Sequence, residues 1–154
     1  TLAYTSWQIC VHGAPAALRE LRFEAVLRLF QQIKQMNIEE ARQFALSLPF
    51  STEDLFVEEW LSFRVGGKWF MTIWLTAPQQ QVAVKLPPEE GALLREDYDG
   101  INPAYHLNKR HWSDLYLDSL PQELVKQLIQ KSHSIVLNSL PKKIRESLSE
   151  GLNL

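Results

Sequence analysis

The hydrophobic positions change their spacing along the chain, and each spacing predicts a different element. From Ala16 to Gln35, apolar residues recur every three or four positions, which predicts an amphipathic helix. A second stripe with this spacing begins after Met36 and ends at Pro49. Asn37 stands three residues before Glu40, which is the spacing of an N-terminal capping box. The sequence therefore predicts two helices that are separated near Met36.

Shorter apolar runs follow, and they predict strands. Ser51 to Asp54 is expected to form a polar turn before the first of these runs. Gly66 and Gly67 separate two runs and predict a two-residue hairpin, because glycine adopts the positive φ that such turns require. Alternation or β-prone composition predicts strands over 60–65, 68–75, 81–86 and 112–117.

Helix signals return in the second half of the chain. Two prolines and two glutamates from Pro87 to Glu90 predict a short helix through about Glu96, and residues 97–109 are expected to be irregular. Ser119 and Gln122 are expected to cap a longer helix that Pro141 ends, followed by a short helix over 142–148. The predicted class is α+β: an N-terminal helix, an antiparallel β-meander, a short helix, a further strand and C-terminal helices.

Regular pairing through Gly66 and Gly67 predicts the residues on each face of the hairpin. Val65 is expected to pair with Lys68, and in turn Phe63 with Phe70 and Leu61 with Thr72. One face then carries Leu61, Phe63, Val65, Lys68, Phe70 and Trp74, and the other carries Trp60, Ser62, Arg64, Trp69, Met71 and Ile73. Both faces are rich in large apolar groups. The second face is expected to be buried within the fold, covered by a second copy, or open as an aromatic platform.

Composition and charge narrow the classes of protein. The chain has 154 residues, 45% of them apolar, which fits one globular core. Residues 1–35 carry four basic and two acidic residues, whereas 36–154 carry twelve and sixteen, so their formal charges are +2 and −4. This change in charge, and the start of a second helix directly after Met36, suggest that residues 36–154 are the domain. Residues 1–35 are then either an added or upstream extension or a genuine helical arm.

Several kinds of site and location are not expected. No window approaches the length of about 18 apolar residues that spans a bilayer, and no secretion-type leader is visible, so a cytoplasmic protein without membrane contact is expected. The single Cys10 excludes an internal disulfide. His106 and His111 lie five residues apart, a spacing that suits neither a helix nor a strand metal site. No catalytic constellation is visible, so neither an enzyme nor a cofactor is predicted.

The run Pro103-Ala-Tyr-His-Leu-Asn-Lys-Arg-His-Trp-Ser-Asp-Leu-Tyr-Leu-Asp118 resembles a string that is typical of the MmcQ/YjbR family. Further matching motifs stand at the family's spacing: Leu48-Pro49, Thr52-Glu53-Asp54, Phe63 to Lys68, Val84-Lys85, Ser119-Leu120-Pro121 and Leu140 to Lys143. The resemblance covers about Met36 to Leu148. Two departures are His133, where the family often has tyrosine, and the absence of a glycine between Asp118 and Ser119.

The resemblance implies a small cytoplasmic α+β protein with a fold similar to that of type III secretion chaperones. It also implies DNA binding through a "double-wing" motif, here the hairpins around Gly66-Gly67 and Pro78. A charge of −4 does not favour a broad duplex footprint, whereas cations beside aromatic residues suit single strands. The predicted nucleic-acid contacts are Arg64, Lys68, Lys85, Asn108, Lys109, Arg110, His111 and Trp112.

A protein-interaction role is the alternative. In that case a chaperone-like or homodimeric module would use an apolar sheet face together with the helix over 16–35. The negative charge of the domain favours this alternative, and the family resemblance favours nucleic acid. The histidines and Asn108 are equally compatible with packing and turn roles.

Overall fold

The computed structural model describes residues 22–29 and 34–151, and the chain divides into two compact units between Lys34 and Gln35. In the first unit, residues 22–29 form a helix in which every residue is exposed. Half of the predicted helix over 16–35 lies outside the described residues, and so does Cys10. The idea that residues 1–35 are an extension therefore stays a prediction.

The second unit contains an antiparallel sheet and four α-helices within its described residues, so the predicted α+β class is confirmed. In chain order its elements are α1 (Ile38–Ser47), β1 (Ser51–Phe56), β2 (Trp60–Val65), β3 (Lys68–Trp74), β4 (Gln81–Lys85), α2 (Pro88–Asp97), β5 (Ile101–Pro103), β6 (Trp112–Tyr116), α3 (Gln122–Ser139) and α4 (Lys142–Glu150). The strand order in the sheet is β1-β2-β3-β4-β6-β5, and every neighbouring pair is antiparallel.

Helix α1 begins at the predicted capping box. The Asn37 side chain accepts the Glu40 N–H at 2.8 Å, and the Glu40 carboxylate accepts the Asn37 N–H at 3.0 Å. These bonds satisfy two N–H groups that a helix start leaves without partners. The prediction is confirmed, and the helix ends at Ser47, two residues before Pro49.

The expectation of a polar turn over Ser51–Asp54 is wrong, because these residues begin the edge strand β1. All six residues of β1 pair with β2, so backbone pairing determines the strand although its first four side chains are polar. Arg42 of α1 also anchors the strand, since its Nε donates to Glu53 Oε2 at 2.7 Å. This hydrogen bond holds the pKa of Glu53 below its usual value of 4.5.

Two further expectations in the second half are corrected. The segment that is expected to be irregular contains β5, a short strand whose three residues pair with β6. Ser119 belongs to a 3₁₀ turn over Leu117–Ser119, and α3 starts after Pro121 with no side-chain cap. Neither Ser119 nor Gln122 caps the helix, because the 3₁₀ turn and Pro121 occupy the positions before it.

The β2–β3 hairpin turns at the predicted glycines, with φ angles of 57° at Gly66 and 81° at Gly67. The predicted pair Val65–Lys68 is confirmed. The register then shifts, because Arg64 pairs with Trp69 whereas Phe63 pairs with Met71. The predicted pairs Phe63–Phe70 and Leu61–Thr72 are therefore wrong, and Leu61 pairs with Ile73. Phe70 is the extra residue of a β-bulge.

The bulge reverses the face of every later residue in β3. Met71 and Ile73 turn into the core, where both are fully buried, and Trp74 turns to the opposite side with Trp60. Trp74 is thus wrongly predicted on the face of Phe63, and Met71 and Ile73 are wrongly predicted on the face of Trp60.

Helix α3 fills the gap that the bulge leaves in the backbone ladder. The Ser132 hydroxyl donates to the Phe70 carbonyl and accepts the Lys85 N–H at 2.8 Å. One side chain of α3 therefore links β3 to β4 where the regular pairing stops after Met71 and Val84. His133 packs its ring edge-on to Phe70 and meets the Pro49 carbonyl at 2.7 Å.

One face of the sheet is covered by α1 and α3. Its core combines aliphatic and phenyl side chains from the two layers: Ala41, Ala45, Phe63, Val65, Phe70, Met71, Ile73, Val82, Val84, Leu115, Val125, Leu128, Ile129 and Val136. We call this side the covered face and the opposite side the open face.

Candidate functional site

The open face gathers aromatic side chains from neighbouring strands. Its residues on β2 and β3 are Trp60, Ser62, Arg64, Trp69, Thr72 and Trp74. The Trp60 and Trp74 rings stack with centroids 5.6 Å apart and planes 2° apart. Trp69 meets Phe56 of β1 edge-on at 5.2 Å. Three indoles thus lie on one side of two adjacent strands.

A loop over residues 104–111 crosses the open face. It leaves the β5–β6 end of the sheet at Ala104, whose N–H donates to the Trp112 carbonyl at 3.1 Å. Its His106 ring then packs edge-on to both Trp60 and Trp74, at 5.2 and 4.9 Å. Tyr105 stands beside His106 at 4.7 Å and is 73% exposed.

A buried carboxylate holds this loop. Asp114 of β6 is 6% exposed, and its Oδ2 accepts the Tyr105 N–H at 3.2 Å. Burial raises the pKa of Asp114 above its usual 3.8, while the Tyr105 N–H and the nearby His106 act in the opposite direction. The carboxylate is therefore used to position the loop.

Two cations lie over aromatic rings at the edges of the face. The Arg64 guanidinium stands 5.8 Å from the Trp69 ring centre, and Lys109 Nζ stands 5.9 Å from that of Tyr105. Arg64 also forms an ion pair with Asp54 at 3.4 Å. Since Asp54 and Asp114 accompany these cations, the face is a mixed-charge aromatic surface rather than a basic stripe.

A pocket of about 270 Å³ opens between the loop and the sheet. Its walls are aromatic and its floor is formed by small polar residues of β2 and β3. The lining residues are Phe56, Trp60, Leu61, Ser62, Trp69, Thr72, His106 and Leu107.

Part of the predicted nucleic-acid set forms the turn before β6. Asn108 accepts the Arg110 N–H on its side chain at 3.0 Å, and its carbonyl accepts the N–H groups of His111 and Trp112. Asn108 therefore shapes the turn. From α2, Arg95 donates to the Lys109 carbonyl at 2.8 Å and fixes the other side of that turn.

The structure does not bring the predicted residues together. Arg64 belongs to the tryptophan cluster, and Lys109 lies over Tyr105 in the crossing loop. Lys85 and Trp112 pair across β4 and β6 at the end of the sheet where the 108–111 turn lies, and Lys68 is exposed at the start of β3. Strand β3 lies between Arg64 and the Lys85–Trp112 pair, and Lys68 pairs with Val65 of the covered face, so the predicted residues do not form one patch.

No motif in the sequence predicts a functional role for Thr72, Trp74 or Tyr105. The two dense aromatic runs that flank the glycines were a visible signal, but the bulge that gathers three indoles on one face has no local signature. The chain's described part contains no cluster of three or more His, Cys, Asp or Glu side chains that could hold a metal ion. Across the same residues, no helix has the length and apolar character to cross a membrane.

Comparisons with known proteins identify relatives of this chain. The family model YjbR matches residues 46–135. The chain is 32% identical to YbdF of Escherichia coli O157:H7, over 77% of this chain and 98% of that protein. It is 31% identical to YjbR of Escherichia coli K12, over 73% and 98% of the two chains.

Solved structures agree with these matches. A Deinococcus radiodurans protein with a DUF419 domain superposes with a TM-score of 0.70 at 30% identity, covering 77% of this chain and 91% of that one. A Pseudomonas syringae protein gives 0.56 at 26% identity, covering 66% and 99%. The names of these proteins specify no ligand and no reaction.

Proposed function

The chain belongs to the YjbR family, and from that premise we propose that it binds single-stranded nucleic acid, without catalysis, on the open face of its sheet. The observation that carries the proposal is the collection of Trp60, Trp69 and Trp74 on one face with a cation over a ring at each side. Bases stack on such side chains irrespective of sequence, with about 1–3 kcal/mol per base.

Single strands fit this surface better than a duplex does. The domain carries a formal charge of −4, and duplex binding depends on neutralising many phosphates. The glycine hairpin also packs against the protein, since a Cβ on Gly66 would stand 2.5 Å from Leu140 Cδ1. A hairpin tip that is packed in this way does not favour a wing inserted into a groove, whereas unpaired bases can reach the indoles.

The proposal is tested by titrating the full chain with a fluorescent oligonucleotide of about 12 nucleotides. We expect binding at low salt that weakens as salt rises, with a log–log slope of about 0.7 per contacted phosphate. Trp69→Ala is expected to weaken binding about 5- to 100-fold because one stacking surface is lost. Arg64→Ala is expected to weaken binding and to reduce the salt slope.

Arg145→Ala is the matched control, because Arg145 is an exposed arginine on α4. We expect it to leave the affinity close to that of the unmodified chain. Absence of binding at low salt, or equal losses in the Arg64 and Arg145 variants, would contradict the proposal.

The exposed edge strand favours protein interaction as the second candidate. Strand β1 is an edge of the sheet, and Leu55, Phe56 and Val57 at its end are 57%, 47% and 67% exposed. The covered face is not available for this role, because α1 and α3 pack on it. A concentration-dependent mass in solution, together with no oligonucleotide binding, would favour this candidate over the first.

A further inference from the structure

The pocket on the open face contains a buried hydroxyl that has no partner. Thr72 is 3% exposed, and its Oγ1 forms no hydrogen bond with any described residue. A buried polar group without a partner costs about 1–3 kcal/mol. The Oγ1 atom has almost no accessible surface, but Thr72 lines the pocket, so rotation about its χ1 would turn the hydroxyl towards a ligand there and give it the missing partner.

The neighbouring hydroxyl of Ser62, unlike that of Thr72, has hydrogen-bond partners within the protein. Ser62 Oγ donates to the Asp54 carbonyl at 3.2 Å and accepts from Arg64 Nε at 3.4 Å. Its bonding capacity is thus used within β1 and β2. Of the two hydroxyls on the pocket floor, Thr72 is the one that is free to recognise a ligand, and it can both donate and accept.

The lining residues and the volume of the pocket indicate the shape of the ligand that would fit it. Trp60, Trp69 and His106 line the pocket with aromatic rings, which suits a flat ring as ligand. A cavity of about 150 Å³ holds one benzene ring. The volume of about 270 Å³ is nearly twice as large and therefore fits a two-ring system.

The edge of that ring must carry polar atoms, such as ring nitrogens or exocyclic amino and carbonyl groups, because a hydrocarbon edge would leave the Thr72 hydroxyl unpaired. Arg64 stands over the ring of Trp69, which lines the pocket, and so places a cation beside the pocket for an attached phosphate. A purine joined to a phosphate combines these properties.

We propose that this pocket binds a purine base, with Thr72 Oγ1 as its hydrogen-bond partner. The base belongs either to a free nucleoside monophosphate or to a single strand. In the second case the inference rests on the proposed function and names the base that the face prefers.

The test uses the full chain with three probes: oligodeoxyadenylate, oligodeoxythymidylate of equal length, and adenosine monophosphate. We expect tighter binding of the adenine strand than of the thymine strand. Thr72→Val keeps the shape of the side chain and removes the hydroxyl, and it is expected to weaken adenine binding about 5- to 10-fold while leaving thymine binding unchanged.

Two further variants serve as controls. Thr72→Ser keeps a hydroxyl and is expected to retain most of the adenine affinity. Thr76→Val changes an exposed threonine outside the pocket and is expected to change nothing. Thr72→Val removes an unpaired polar group, so we expect it to fold with undiminished stability, which thermal melting verifies.

The outcomes separate the two proposals. Equal binding of both strands, unaffected by Thr72→Val, overturns the purine pocket and leaves the nucleic-acid proposal in place. Binding of the monophosphate that depends on Thr72, without binding of either strand, supports the pocket and overturns the proposed function. Failure of all three probes overturns both.

Discussion

The covered and open faces of the β2–β3 hairpin have different chemistry although they come from the same two strands. On the covered face, Phe63, Phe70 and Ile73 are fully buried against the helices. On the open face, Trp60, Trp69 and Trp74 keep part of their surface accessible. The comparison shows that one extra residue in β3 sorts two mixed sets of side chains into a closed core and a recognition surface.

The physical reason lies in the period of a strand. Successive residues alternate between faces, so an insertion of one residue exchanges the faces of all residues beyond it. Without the bulge, Trp74 would point towards the helices and Ile73 towards the open face. The bulge at Phe70 prevents this exchange, and Ser132 satisfies the backbone groups that it leaves out of the ladder.

Insertion of one alanine between Met71 and Thr72 is the strongest way to break the contrast between the faces. It is expected to abolish cooperative unfolding, because Thr72 and Trp74 would be forced into the core. Phe70→Ala keeps the register and is expected to destabilise the fold by about 3–5 kcal/mol through a cavity. Urea unfolding measures both.

Trp69→Ala is the matched change on the open face, with an expected loss of about 1 kcal/mol. If the insertion variant unfolds cooperatively with the same midpoint as Phe70→Ala, the register of β3 does not determine the contrast between the faces.

Ser132→Ala is expected to have the next largest effect. The Phe70 carbonyl and the Lys85 N–H would both lose a partner in a buried place, with a loss of about 2 kcal/mol in the free energy of unfolding. Ser134→Ala in the same helix is the control, because Ser134 is exposed, and its change is expected to stay within about 0.5 kcal/mol. Equal effects of the two variants would mean that the hydroxyl does not support the bulge.

Asp114→Asn is expected to have the smallest effect, and in the stabilising direction. The pKa of Asp114 is raised in the folded chain, so its ionised form destabilises the fold at pH values above that pKa. Asparagine still accepts the Tyr105 N–H without carrying a charge. We expect the melting temperature at pH 7 to rise by roughly 2–4 °C.

The stabilisation by Asp114→Asn is expected to depend on pH, and the raised pKa of Asp114 determines the direction of that dependence. As pH falls through the raised pKa of Asp114 towards its usual 3.8, the carboxyl binds a proton and its penalty disappears. The advantage of Asp114→Asn should therefore shrink on acidification. Asp99→Asn on the surface is the control, and an advantage of Asp114→Asn that grows at low pH would contradict the assignment.

Local signals in the sequence predicted local structure correctly. The capping box at Asn37 and Glu40 and the turn at Gly66 and Gly67 depend on residues within a few positions, and both are confirmed. The first four residues of β1, Ser51–Asp54, are predicted as a turn because they are polar, whereas their strand conformation comes from pairing with β2. Of the predicted site residues, Arg64 and Lys109 lie beside aromatic rings, whereas Asn108 shapes a turn.

By itself the sequence determined the α+β class, the family and the hairpin turn, because these follow from periodicity, glycine geometry and ordered motifs. Only the tertiary structure decided which residues share a face, since the bulge at Phe70 depends on a hydroxyl from Ser132, which lies 62 positions away in the chain. The pocket on the open face likewise depends on contacts between residues that are distant in the chain. It exists because Asp114 holds a loop whose His106 packs on two tryptophans of the hairpin, and contacts between such distant residues leave no periodic pattern in the sequence.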